Sequence, residues 1–95
     1  MNLTKIKTYY GFAVKSGKIV YGTDNILKAK PLAIFISEAI SENAKNKLKR
    51  MCDDYECCMI NLDQSNMENI TTNQNIMAFG ITDKNLAEAI INCME

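Results

Sequence analysis

The chain has no histidine and no tryptophan, a single proline (Pro31), and only four glycines among its 95 residues. Without histidine, a Ser-His-Asp triad, a Cys–His dyad and any zinc site that uses imidazole are excluded. The longest unbroken apolar run is Leu32 to Ile36, far short of the roughly 20 residues needed to span a bilayer. The first residues include Lys5 and Lys7 but no apolar signal-peptide core, so no secretory signal is expected and the expected location is cytoplasmic. Cys52, Cys57, Cys58 and Cys93 are then expected as free thiols.

Neither sign of charge is in excess: 11 basic and 11 acidic residues give a formal net charge of zero. The balance is uneven along the chain. Residues 1–50 hold every basic residue except Lys84, with only Asp24, Glu38 and Glu42 against them, a net +7, and residues 51–95 carry −7. The length fits one domain. With 47% apolar residues and no low-complexity tract, the chain can form a core that buries roughly 60–65% of its unfolded surface.

Hydrophobic period sets the organisation. Leu3, Ile6, Tyr10 and Ala13 fall on one face of a helix that Gly17 stops. Gly11 inside it predicts a closely packed neighbour. Ile19-Val20-Tyr21 reads as a strand. Thr23 is the expected N-cap of a second helix, with Ile26, Leu27 and Ala29 on its apolar side and Pro31 ending it. Leu32–Ile36 reads as a buried strand. Ser41 should cap a third helix with Ala44, Leu48, Met51, Cys52 and Tyr55 inward, and with Lys49–Asp53 and Arg50–Asp54 as i, i+4 pairs outward. Cys57–Leu62 is a third strand, Asn66–Thr71 a short helix and Ile76–Ile81 a fourth strand. Thr82 or Asp83 caps a last helix whose face is Leu86, Ala89, Ile90, Cys93 and Met94. The order α-β-α-β-α-β-α-β-α implies a sheet covered on both faces, a three-layer α/β/α domain.

Three stretches read together: Gly11 to Ala29, Ser41 to Leu48, and Gly80 to Ile90. Jointly they resemble the ribosomal L-seven-Ae/L-thirty-e superfamily, most closely its small bacterial YlxQ-type members, over residues 3 to about 91. The resemblance implies an α/β/α sandwich around a mixed four-stranded sheet. It also implies binding of structured RNA, typically a kink-turn, at the start of the second helix and a loop after the third strand. RNA-binding members read Gly-x-Asn-Glu-x-x-Lys at that helix; the matching positions here are Gly22, Asp24, Asn25 and Lys28. Two departures stand out. The amide-then-acid order is reversed in Asp24-Asn25, and Met67-Glu68 and Thr72 replace the Leu-Gly and second Gly usual in the loop.

The chemistry of the motif is legible from the residues. A glycine lets a backbone be approached closely. Amides at a helix start, here around Thr23, suit phosphate oxygens. A carboxamide donates and accepts at a base edge, and a carboxylate accepts from guanine N–H groups. A lysine one turn in neutralises phosphate. Lys15, Lys18, Lys28 and Lys30 flank the Gly22 turn and read as phosphate contacts, the alternative being ordinary solvated lysines. Lys45, Lys47, Lys49 and Arg50 read instead as the wet face of the third helix. The cysteines lack a C-x-x-C pair, so no metal site is expected. Asp53, Asp54 and Glu56 read as an exposed helix end, and no nucleophile has a positioned base. The expectation is a non-catalytic, monomeric, ribosomal-protein-like RNA binder, with possible ribosome or translation-factor partners, no membrane contact and no cofactor. The alternative is a protein-interaction module of the same fold that has lost specific RNA recognition.

Overall fold

Helices begin where short polar side chains can accept from free amides, and four of the five helices here do so. In a computed structural model, which describes residues 2–94, Asn2 caps α1 (Leu3–Ser16), Ser41 caps α3 (Glu42–Tyr55), Asp63 caps α4 (Gln64–Thr71) and Asp83 caps α5 (Lys84–Asn92). Each side-chain oxygen accepts from a backbone N–H three residues on, at 2.7–3.2 Å. The exception is α2 (Thr23–Ala29), which starts at Gly22 without a side-chain cap. Gly17, in the left-handed region at φ 70°, closes α1 by donating to Ala13 and Val14, as its sequence position predicts.

The strands are β1 (Ile19–Tyr21), β2 (Ala33–Ser37), β3 (Cys58–Leu62) and β4 (Ala78–Ile81). They form one mixed sheet in the order β1-β4-β2-β3. β4 runs antiparallel to both β1 and β2, with Val20 and Ile34 each opposite Gly80, and β2 runs parallel to β3. The alternating α/β order and the mixed four-stranded sheet are therefore as expected.

Central β2 is buried along its whole length, and its alternation feeds two cores. Ala33 and Phe35 join Phe79, Ile81, Ile60 and Leu62 under α1, α4 and α5. Ile34 and Ile36 face the other way, onto Ile26 of α2 and Leu48 and Met51 of α3. Phe35 stacks on Phe79 with centroids 4.8 Å apart, and Tyr10 meets Phe79 edge-on at 5.1 Å. Such pairs add about 0.5–1.5 kcal/mol each beyond the area they bury.

Several expectations are corrected. Cys52 and Cys57 are joined in a disulfide, whereas Cys58 and Cys93 are free. The reason is geometric: Cys52 on the inner side of α3 and Cys57 ahead of β3 both pack on the α2/α3 core, while Cys58 points to the opposite one. The left-handed turn at Glu56 (φ 61°) brings their Cα atoms to 4.8 Å, inside the range a bridge requires. Gly11 has no atom within 4 Å of where a Cβ would sit; the glycine that is closely packed is Gly80, against Pro31. Ala29 is exposed, and β2 starts at Ala33, with Leu32 exposed just ahead of it. Among the described residues no Lys or Arg nitrogen lies within 4.0 Å of a carboxylate, so Lys49–Asp53 and Arg50–Asp54 do not close as ion pairs. At such exposed positions a pair gains little over hydration.

Candidate functional site

β1 ends, and α2 begins, in one sharp turn at Gly22. The Gly22 N–H still donates to Ala78 O at 3.1 Å as the last rung beside β4, and its carbonyl already accepts from Ile26 N at 3.0 Å. Doing both requires φ 84°, ψ 152°, a conformation open to glycine and strained for other residues. This displaces Thr23 from its expected role. The cap is Gly22, and Thr23 is the first helical residue. The first amides of α2 are left without a side-chain acceptor.

Asp24 and Asn25 are exposed in the first turn. The Asn25 Nδ2 donates back to Tyr21 O at 2.9 Å. One of its two donors is therefore spent on holding the turn, and its second N–H and its Oδ1 remain. The reversed order in this chain thus gives the two side chains different jobs. Asn25 braces the helix start, while Asp24 carries a negative charge there.

Facing the turn is the segment between α4 and β4. Together they enclose a groove of about 300 Å3, lined by Tyr21, Gly22 and Thr23, by residues 75–78, and by Ile40 from the loop after β2. The far wall is held by a network absent from the sequence reading. Gln64 accepts from Ser37 Oγ at the buried end of β2 and donates to Gln74 O at 3.3 Å. Thr71 Oγ1 accepts from Asn73 N at 3.3 Å, and Asn73 Oδ1 accepts from Asn75 N at 2.8 Å. Thr72 takes the left-handed cap of α4 at φ 54°, where a glycine would be less strained. Met67 is buried in the core, and Glu68 is exposed beside Thr72 and residues 73–75. The near wall is braced by Tyr21 Oη and Tyr10 Oη, 2.7 Å apart. Burial, then the bond to Tyr21, raise the Tyr10 pKa well above its ordinary value.

Gly22, Thr23, Asp24 and Asn25 are therefore brought together, but the lysines are not. Lys18 lies at the opposite end of β1, where its carbonyl accepts from Thr82 N at 3.1 Å. Lys15 sits in the last turn of α1 beside it. α2 runs back along the sheet for about 10 Å, so Lys28, in its last turn, and Lys30, its C-cap, also leave the Gly22 end. No Lys or Arg lines the groove. Spacing in sequence made these four lysines look like flanks of Gly22; the strand and the helix each carry them to its far end. Tyr21, Ile40, Gln64 and Asn75 are the participants that sequence reasoning missed. Gln64 reaches Ser37 across 27 residues, which leaves no local signal. An aromatic at the tip of a three-residue edge strand, Tyr21, was the one cue available.

No protein-family model and no curated protein matches the chain. A solved structure does: a protein with unknown function from Bacillus halodurans C, 15% identical, superposes with a TM-score of 0.81 over 93% of this chain and 94% of that one. The likeness is one of fold. No helix among the described residues is long and apolar enough to cross a membrane.

Proposed function

We propose that this protein is a non-catalytic RNA-binding protein, recognising a kinked or internal-loop RNA at the groove between the start of α2 and residues 75–78. The observation that carries the reading is that groove: glycine backbone at φ 84° and the uncapped first amides of α2, next to exposed Asp24, stand beside a largely apolar wall whose one polar side chain, Asn75, has its backbone braced by Asn73. Donors and acceptors held at fixed positions suit the base edges that RNA displays where stacking is broken. With no cation in the lining, recognition rests on shape and base edges, and phosphate neutralisation contributes little. The test is a titration of a kink-turn duplex against a matched simple duplex, at low and at physiological salt. A preference for the kinked RNA with a shallow salt dependence is expected, and equal affinity for both duplexes would refute the reading.

One observation favours a second reading, a protein-interaction module. Asp24, Glu38, Glu42, Asp63 and Glu68 all lie at this end of the sheet: at the starts of α2, α3 and α4, after β2, and within α4. Such a ring repels phosphate and attracts a basic protein surface. Recovery of a stable protein partner that survives nuclease treatment, with no RNA preference, would decide for it.

A further inference from the structure

α2 and α3 pack side by side on one face of the sheet, and a groove of about 380 Å3 opens between the end of α2 and the stretch of α3 from Lys47 to Tyr55. Its apolar surface is Leu27, Met51 and Tyr55, and its cations are Lys30, Lys47 and Arg50. Among the described residues none of these cations closes an ion pair with a carboxylate. Asp54 is the one acid in the lining. The wet face of the third helix is thus only half the story. Lys47 and Arg50 share this groove with Lys30 of the other helix, whereas Lys49 does not line it.

The groove is built on a fixed base. Lys30 stands at φ 50°, ψ 60°, a left-handed conformation in which glycine or asparagine costs less. Pro31 follows, fully buried, with its ring against Gly80 and its carbonyl accepting from the Tyr55 hydroxyl. That hydrogen bond ties the segment carrying Lys30 to the helix carrying Tyr55, Arg50 and Lys47. The cations thus project from two braced helices.

We infer that this groove binds a phosphomonoester joined to a flat or apolar body of nucleobase size, the chemistry of a 5′-mononucleotide. A bare anion would leave Leu27, Met51 and Tyr55 unused, and a neutral apolar ligand would leave Lys30, Lys47 and Arg50 at its edge with only Asp54 against them. A guanidinium with two ammonium groups suits phosphate oxygens. The volume lies at the small end of the roughly 300–1,000 Å3 typical of ligand pockets, which fits one such body and not a helix or a duplex. The site is independent of the Gly22 groove, so it stands or falls separately from RNA recognition.

The experiment is a heteronuclear NMR titration of the whole chain with 5′-AMP, with adenosine and with inorganic phosphate. AMP is expected to shift the amides of Leu27, Met51 and Tyr55 saturably, and adenosine and phosphate are each expected to bind about ten-fold or more weakly. Arg50→Ala, at an exposed position, is expected to weaken AMP binding about ten-fold, with Arg50→Lys intermediate. The inference is overturned by any of four results: no saturable shift, shifts confined to residues 22–25, phosphate binding as tight as AMP, or unchanged affinity in an Arg50→Ala protein whose circular dichroism matches the parent.

Discussion

Gly80→Ala isolates the tightest packing in the sheet. Gly80 lies in the middle of the fold, opposite Val20 on β1 and Ile34 on β2. A Cβ there would overlap Pro31 Cγ, stand 2.9 Å from Pro31 Cβ and lie 3.4 Å from Val20 Cγ2. The proline ring cannot rotate away. It is closed on its own backbone, fully buried, and its carbonyl is held by Tyr55. Overpacking of this kind costs about 1–3 kcal/mol, and the reduced freedom of the unfolded chain returns about 0.4–1 kcal/mol. A net loss of about 1–2 kcal/mol corresponds to a fall in Tm of roughly 4–16 °C for a domain of this size. Gly11→Ala is the matched control, since no atom lies within 4 Å of its added methyl and helix propensity favours alanine by about 1 kcal/mol. Thermal and urea denaturation of the two variants should move in opposite directions. In a Pro31→Ala background, Gly80→Ala should cost measurably less than in the parent. A Gly80→Ala protein as stable as the parent, or an equal cost with and without the Pro31 ring, would refute the packing argument.

Reducing the Cys52–Cys57 bridge reopens a short loop and should lower stability by roughly 2 kcal/mol on the loop-entropy estimate; Cys52→Ala should lower Tm similarly and abolish its response to dithiothreitol. Tyr10 and Tyr55 both have raised pKa values in the fold, Tyr10 through burial and then its bond to Tyr21, Tyr55 through burial. The folded state therefore holds these protons more tightly, so their contribution is complete below the unfolded pKa of about 10 and is lost as pH rises above it. Tyr10→Phe should flatten the alkaline limb of a stability–pH curve, and an unchanged limb would remove Tyr10 as its cause. Lys15→Ala and Lys18→Ala should leave RNA affinity and its salt slope unchanged, because both residues lie at the far end of β1; a loss of about one unit of slope would return them to the contact surface.

The periodic elements were legible because burial imposes period. Ile6, Tyr10 and Ala13 of α1, and Leu48 and Met51 of α3, are inward as their spacing implies. Ser41 and Asp83 cap where their chemistry suits free amides. What spacing cannot reveal is contact made across the chain. The disulfide depends on which face each cysteine takes after the Glu56 turn. The packing of Gly80 on Pro31 depends on the sheet register. The bracing of the candidate groove depends on Gln64 reaching both Ser37 and Gln74. Gly22 stands out in the sequence as a point of close backbone approach, and the structure gives it a different reason. It is required by its dihedral angles, where one residue must end a strand and begin a helix.

The charge pattern shows why the lysines could not be placed from sequence. Residues 1–50 and 51–95 carry opposite net charges of +7 and −7, which suggests a molecule with a basic half and an acidic half. The sheet order prevents that, because β1 and β2 of the first half alternate with β4 and β3 of the second. The two ends of the elements instead differ in net sign, although Asp53, Asp54 and Glu56 share the basic end. Acids gather where α2, α3 and α4 start, in keeping with carboxylates favouring helix N-termini. Lys28 and Lys30 gather where α2 ends, next to Lys47 and Arg50 of α3. An RNA that approached by long-range attraction would be drawn to the latter side, away from Gly22. Recognition at Gly22 would then have to come from base edges fitted at close range, and a shallow salt slope combined with a strong preference for kinked RNA is the signature that separates it from phosphate-driven binding.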